Sequence, residues 1–238
     1  MKINYRQATI INIVDESPAV KRFYFKFPET EQFDFKPGQF VMIDLPIASK
    51  ITNRSYSIAS APVNDNIFEL IIVLNPTGLG TPYMWENFQI GDSVPVAGPL
   101  GKFTLPDQIN NDLCLIATGT GIAPLRSMLH HIINQNIPHK NIYLVFGCRT
   151  TQDILYKIEM QELSSKYPYF NFIPVLSRPN EDWTGAHGYV HHVYEQIFAD
   201  KRPATFYLCG WKNMIMEARE RLNAMGYEKS QIKFELYD

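Results

Sequence analysis

The stretch Leu113-Cys-Leu-Ile-Ala117, followed at once by Thr118-Gly-Thr-Gly-Ile-Ala-Pro124 and then an apolar helical pattern, decides how the second half of the chain is read. Five apolar residues in a row spell a strand buried on both faces, as in parallel sheets. Gly119 and Gly121 let the backbone turn tightly and approach a ligand closely. The helix that follows, read over residues 124–135, presents unpaired N–H groups and the positive end of its dipole. A dinucleotide pyrophosphate is the ligand such a turn suits. The spacing is Gly-x-Gly-x-x-Pro, and a strand-to-helix turn that uses glycine for geometry alone is spelled the same way.

Outward from this turn the alternation continues. Apolar runs at 112–117, 141–146, 170–176 and 205–209 are interleaved with helical patterns at 124–135, 154–166, 189–199 and 212–225. Strand, helix, strand, helix predicts a doubly wound α/β domain with a parallel sheet. Ahead of it lie short β-branched or aromatic segments at 8–14, 20–27, 39–45, 54–58, 68–74 and 93–97, separated by turns such as Lys36-Pro-Gly38 and Ile90-Gly-Asp92. Their regular spacing predicts an antiparallel β-barrel or sandwich. The rhythm changes near residues 106–111, so the expected domains are 1–108 and 109–238.

Composition removes several functional classes. The 238 residues are 45% hydrophobic and 19% charged, an ordinary globular balance. A formal net charge of −2 leaves no basic field to hold nucleic acid. No apolar run approaches the roughly 20 residues needed to span a bilayer, and the start Met1-Lys-Ile-Asn-Tyr-Arg-Gln7 reads as neither a secretory nor a transit leader. The expected location is the cytoplasm. Cys114, Cys148 and Cys209 are too few and too scattered for a disulfide framework or a zinc site. The histidine pairs 130–131 and 191–192 lack a spaced third ligand, so no metal is expected.

Two motifs in the first half carry chemistry. In Arg54-Ser-Tyr-Ser57 an arginine offers a fork of donors to a phosphate, a tyrosine a flat face to a ring system, and a serine a small hydroxyl donor. An ordinary alternating strand would place Arg54 and Tyr56 on one face in the same way. Asn75-Pro-Thr-Gly-Leu-Gly-Thr-Pro82 is a glycine-rich turn opening a helix read over 83–88, with Thr81 as its expected N-cap and Pro82 in the first helical position. That leaves the next amides to a second phosphate or simply caps a surface helix.

Taken in order, these segments resemble the ferredoxin–NADP reductase superfamily of flavoproteins over nearly the whole chain. Arg54-Ser-Tyr-Ser57 is similar to that family's flavin motif, Gly78-Leu-Gly-Thr81 to its flavin-phosphate turn, and Gly98-Pro-Leu-Gly-Lys-Phe103 to the segment that closes its barrel. Gly119-Thr-Gly-Ile-Ala-Pro124 resembles the nicotinamide-pyrophosphate loop, and Cys209-Gly210 the pair beside the nicotinamide. The resemblance implies an FAD-binding barrel, with FMN a less favoured alternative, followed by a domain for NADPH or NADH. It implies that Arg54 pairs with the FAD pyrophosphate, Tyr56 stacks on the ring, and Ser57 donates towards N5, with Ser55 in the same strand. Val73 and Asn75 line the ring, and Gly78, Gly80 and Thr81 serve the phosphates. Gly119, Thr120, Gly121 and Pro124 take the second dinucleotide, Cys209, Gly210 and Glu235 lie near the nicotinamide, and Tyr237 covers the flavin ahead of Asp238. Ser177 and Arg178 resemble the pair that binds a 2′-phosphate, with Arg149 as a helper, while Glu181 and Asp182 weigh against it. NADPH is therefore slightly preferred to NADH.

Cofactor-driven hydride transfer needs rings held at near-attack distance and water excluded, not a nucleophile. Three cysteines cannot ligate a plant-type iron–sulfur cluster, so the expected partner in trans is ferredoxin, flavodoxin or another redox protein. An oxygenase-system reductase, a free-flavin reductase and a non-catalytic flavin-binding subunit remain as alternatives.

Overall fold

The computed structural model describes residues 4–63 and 65–237. Residues 1–3, on which the leader reading partly rests, and Asp238 lie outside that description. The chain divides into two compact units, Met1–Leu105 with Arg126–Gln135, and Pro106–Leu125 with Asn136–Asp238.

The first unit holds β1 (Arg6–Ser17), β2 (Val20–Lys26), β3 (Phe40–Asp44), β4 (Asn53–Ser57), β5 (Ile67–Val73), α1 (Gly80–Asn87) and β6 (Ser93–Leu100). Its strands pair antiparallel in the order β4-β3-β6-β1-β2-β5. A backbone bridge between Ile58 and Leu70 joins the two edges, as the barrel reading requires. Period-two alternation in β2 turns Phe23 and Phe25 inward, where Phe25 stacks on Phe68 at 5.2 Å between ring centres.

The second unit holds β7 (Asp112–Thr118), the start of α2 (Ile122–Asn134), β8 (Ile142–Cys148), α3 (Lys157–Lys166), β9 (Phe170–Leu176), β10 (Ala186–His187), α4 (Val190–Ile197), β11 (Ala204–Trp211), α5 (Lys212–Ala224) and β12 (Ile232–Tyr237). All six strands are parallel, in the order β10-β9-β8-β7-β11-β12. The order reverses between β7 and β11, and ligands of such sheets bind beyond the carboxyl ends of the strands at that switch point. Both faces of β7 are buried, with Cys114 and Ile116 in one apolar cluster and Leu113, Leu115 and Ala117 equally covered. No helix among the described residues is long and apolar enough to cross a membrane.

One polar network in the first unit is internal. Glu69 of β5 is buried, and Arg126 Nη1 donates to its Oε2 at 3.0 Å and to the Ala59 carbonyl at 2.8 Å. Arg22 lies 3.9 Å from the other carboxylate oxygen. Ser127 donates to the Ser60 carbonyl at 2.6 Å, and Ser60 Oγ accepts the Glu69 N–H at 3.0 Å. The later turns of α2 thus pin the segment immediately after β4 by bonds whose loss would strand a carboxylate in the interior.

In the second unit His191 is buried on α4, its Nδ1 2.9 Å from the Tyr194 hydroxyl and its Nε2 3.4 Å from Glu217. Burial lowers its pKa below the ordinary value, with Glu217 and Glu195 pulling up and Arg221 and His192 pushing down. The neutral form is favoured in the fold, so the unfolded chain binds the extra proton as pH falls through the ordinary histidine range. Stability present above about pH 6.5 is lost below it. Melting temperatures measured between pH 7.5 and 5.5 are expected to fall less steeply for His191→Gln; equal slopes would show that His191 does not titrate on unfolding.

Candidate functional site

In the first unit β4 and α1 build one site. Arg54 and Tyr56, two apart on β4, share a face, and α1 lies against both. A Cβ at Gly80, the first residue of α1, would sit 3.2 Å from Arg54 Cγ and Nε and 3.3 Å from Leu45, so glycine lets the helix start come up to the arginine. One turn on, the Tyr56 hydroxyl meets Met84 Sδ at 3.5 Å. Arg54 Nη1 donates to the carbonyls of Ile51 and Asn53, both at 2.7 Å, which fixes the side chain. It has no ion-pair partner among the described residues. Leu79, the N-cap, offers no side-chain bond, and the amides of Gly80 and Thr81 precede the first intrahelical bond. A fixed guanidinium beside open helix amides offers the kind of donors that can hold an anion such as a pyrophosphate.

The helix starts earlier than the sequence predicts, and Thr81 is not its cap. The Thr81 hydroxyl turns back to close the Asn75 turn, accepting the Asn75 N–H at 2.8 Å and donating to its carbonyl at 3.4 Å. Asn75 Oδ1 accepts from Thr77, and Gly78 N–H bonds the Asn75 carbonyl at 3.0 Å, so the turn before the helix is internally braced. Val73 ends β5 exposed, two residues before Asn75. Ser55 is exposed, and Ser57 is buried, paired in register with Phe40. Burial raises the Tyr56 phenol to about 12, against an opposing pull from Arg54, so the ring is neutral at physiological pH.

In the second unit the switch point carries the other site. Gly119–Gly121 forms a 3-10 turn leading into α2, and Pro124 is the third helical residue rather than the first, a position whose N–H would be unpaired in any case. A Cβ at Gly121 would lie 2.3 Å from the Cys209 carbonyl oxygen, so only glycine lets the loop rest on the end of β11. Gly210 has φ +127° and equally close approach to Thr118. Thr118 Oγ1 accepts the Trp211 N–H at 3.0 Å, a clamp between the two strand ends that sequence reading did not assign. Thr120 is half-buried between the two glycines.

Cys209 is fully buried, opposite Glu235 in the β11–β12 register, while Tyr237 lies opposite Trp211. Burial, then the Glu235 carboxylate, pushes the Cys209 thiol well above its usual range; a hydrogen bond from Tyr237 pulls the other way. The thiol is neutral and inert, a packing surface and not a nucleophile. At the ends of β8 and β9, Arg178 N–H bonds the Arg149 carbonyl at 2.8 Å, and Ser177 N–H and Oγ reach the Cys148 carbonyl at 3.0 and 3.3 Å. Ser177, Arg178 and Arg149 are therefore neighbours, all exposed. The Arg149 guanidinium lies 5.9 Å from the centre of the Trp211 ring, linking this cluster to the switch point.

Comparison with known proteins finds a domain family for each half of the chain. The oxidoreductase FAD-binding domain family matches residues 7–105, and the oxidoreductase NAD-binding domain family matches residues 115–220. A ferredoxin–NADP reductase B of Sorangium cellulosum is 29% identical over 98% of this chain and 97% of its own length. An NADH-cytochrome b5 reductase 1 of Dictyostelium discoideum is 30% identical over 88% of this chain and 74% of its own. Among solved structures, a cytochrome P450 reductase from Amycolatopsis superposes with a TM-score of 0.88 at 25% identity, over 99% of this chain and 71% of that one. The chain spans 61% of the glycine betaine monooxygenase reductase subunit of Chromohalobacter salexigens, which it matches at 28% identity.

Proposed function

This chain belongs to the ferredoxin–NADP reductase-like family of FAD- and NAD(P)-dependent oxidoreductases, and from that membership we propose that it passes electrons from NADPH to a one-electron carrier protein of the ferredoxin or flavodoxin class. The observation that carries the acceptor is the match to a ferredoxin–NADP reductase along nearly the full length of both proteins. Bound FAD would supply the redox chemistry, accepting a hydride and releasing electrons singly.

The chain's own groups bind, orient and exclude water. In this reading residues 1–108 hold the flavin and 109–238 the nicotinamide. Arg54 with the amides of Gly80 and Thr81 holds the FAD pyrophosphate, braced by the Asn75 to Gly78 turn. Tyr56 stacks on the ring, Ser57 directs its hydroxyl towards N5, and Val73 lines the ring edge beside Asn75. Ser55 belongs to the same strand on its solvent side. Gly119, Thr120 and Gly121 with the start of α2 hold the second pyrophosphate, and Cys209, its side chain fully buried, serves the nicotinamide indirectly, its backbone supporting the Gly121 loop. Glu235, opposite Cys209, would orient the carboxamide, with Tyr237 as a displaceable cover. Arg178, Ser177 and Arg149 supply the donors a 2′-phosphate needs, which favours NADPH.

The test is stopped-flow reduction of the FAD-loaded protein by NADPH and by NADH, followed by reoxidation with ferredoxin, flavodoxin, free FMN or an oxygenase component. NADPH bleaching with ferredoxin or flavodoxin as the fastest acceptor is expected. Arg178→Ala is expected to raise KM for NADPH about tenfold, the loss of one charge-assisted contact, and to leave KM for NADH unchanged. Reoxidation only by the oxygenase component would favour the alternative that the match to a monooxygenase reductase subunit supports. Protein that takes up no flavin would remove the enzymatic reading altogether.

A further inference from the structure

We propose that Trp211 is a nucleotide-contact residue, its indole packing against the ADP-ribose moiety of the nicotinamide dinucleotide where that moiety crosses the Gly119–Gly121 loop. The inference rests on the function proposed above and adds a residue to it.

Three observations, all within the second unit, converge on this side chain. The strand order places β7 between β8 and β11. Arg149 follows β8 and Trp211 ends β11, so a contact between them passes over the carboxyl end of β7, where the pyrophosphate loop begins. Their guanidinium-to-ring distance of 5.9 Å is close to the outer limit of roughly 6 Å for such pairs. An exposed contact at that limit is weak, and a ligand that presents an apolar or ring face to the indole displaces it at little cost, whatever Arg149 then binds.

Trp211 is 64% exposed, a large apolar residue left open at the end of a strand. Its main chain, by contrast, is held fast: the Trp211 N–H is bonded by Thr118 Oγ1 at 3.0 Å, and the preceding Gly210 packs against the Thr118 backbone. A rigid anchor carrying an unburied aromatic is how a flat binding surface is presented with little entropy to lose on binding. Arg149 is exposed and has no ion-pair partner among the described residues, leaving its charge available to a phosphate. Contact with ADP-ribose, common to both nicotinamide dinucleotides, makes the Trp211 contribution blind to the 2′-phosphate.

Because the anchoring group is the backbone amide, truncating the side chain leaves the clamp intact. FAD-loaded wild type, Trp211→Phe and Trp211→Ala are titrated with NADP+, NAD+ and ADP-ribose by calorimetry and by tryptophan emission, with melting temperatures in parallel. The expected result is a dissociation constant raised about tenfold in Trp211→Ala for all three probes, of the size expected for a lost stacking contact. Trp211→Phe is expected to recover most of that affinity while losing the ligand-induced emission change, and melting temperatures stay within the experimental error of wild type. Affinities of Trp211→Ala within twofold of wild type would overturn the proposal, as would a loss for the dinucleotides without a loss for ADP-ribose. A wild-type protein that binds none of the three overturns the nucleotide reading itself, a distinguishable failure.

Discussion

Arg54→Ala is expected to emerge from purification almost colourless, with FAD bound about two orders of magnitude more weakly than by wild type. The reason is the pairing of a fixed guanidinium with open helix amides. Bonds from Nη1 to the Ile51 and Asn53 carbonyls hold the side chain in place before any ligand arrives, and the missing Cβ at Gly80 brings the start of α1 alongside it. Hydrogen bonds to a charged group contribute about 1.5–3 kcal/mol, and 2.7 kcal/mol corresponds to about a hundredfold in affinity. Arg54→Lys keeps the charge but loses the fork and the preset geometry, so its affinity should lie between the two. Titrating apoprotein with FAD and following flavin emission measures all three. Stoichiometric FAD in Arg54→Ala would show that the phosphates are held elsewhere.

Gly121→Ala is expected to abolish reduction by NADPH, with kcat/KM lowered at least a hundredfold, while FAD remains bound. The added methyl would lie 2.3 Å from the Cys209 carbonyl oxygen, 2.5 Å from its carbon and 2.6 Å from Gly210 Cα. These are backbone atoms of a central strand, so no rotamer change relieves the overlap; the loop or the strand end must move. A displacement of that order at a positioning loop costs about a hundredfold in rate. Gly119→Ala is the control. There φ is +54° but no atom lies within 4 Å of the new Cβ, so the cost is the left-handed penalty of about 1–2 kcal/mol. Flavin reduction by dithionite in both variants, with NADPH reduction lost only in Gly121→Ala, is the expected pattern. Equal loss in the two would place the effect in backbone conformation and not in packing.

The parallel sheet was the most legible part of the chain because its strands are continuous apolar runs. The run at 170–176 coincides with β9 end for end. Failures follow from the same rule. β12 alternates Lys233, Phe234 and Glu235 at an edge of the sheet, and β10 is two residues long, so neither produces an apolar run. The helix expected from residue 154 begins at Lys157, because Thr150 and Asp153 close a separate turn and Tyr156 adopts φ +52°. Ile154, Leu155 and Tyr156 are all buried, which mimics helical periodicity from a bend. The site motifs were visible as residue types, but their partners were not. Nothing in the spelling of Thr81 shows that its hydroxyl turns back to Asn75, and the bond from Thr118 to the Trp211 amide spans 93 residues. Arg149 was legible only as a cation; its place beside the indole follows from a strand order that local sequence does not encode.

The split membership of α2 bears on any attempt to dissect the molecule. A polypeptide ended at residue 108 would omit Arg126 and Ser127, depriving Glu69 of the guanidinium 3.0 Å from its carboxylate and the Ala59 and Ser60 carbonyls of these donors. Removing one member of a buried ion pair costs about 3–5 kcal/mol, a large share of the stability of a domain this size. A chimaera that borrows the first 105 residues must therefore supply its own donors to the Glu69 carboxylate and to the Ala59 and Ser60 carbonyls, in place of Arg126 and Ser127.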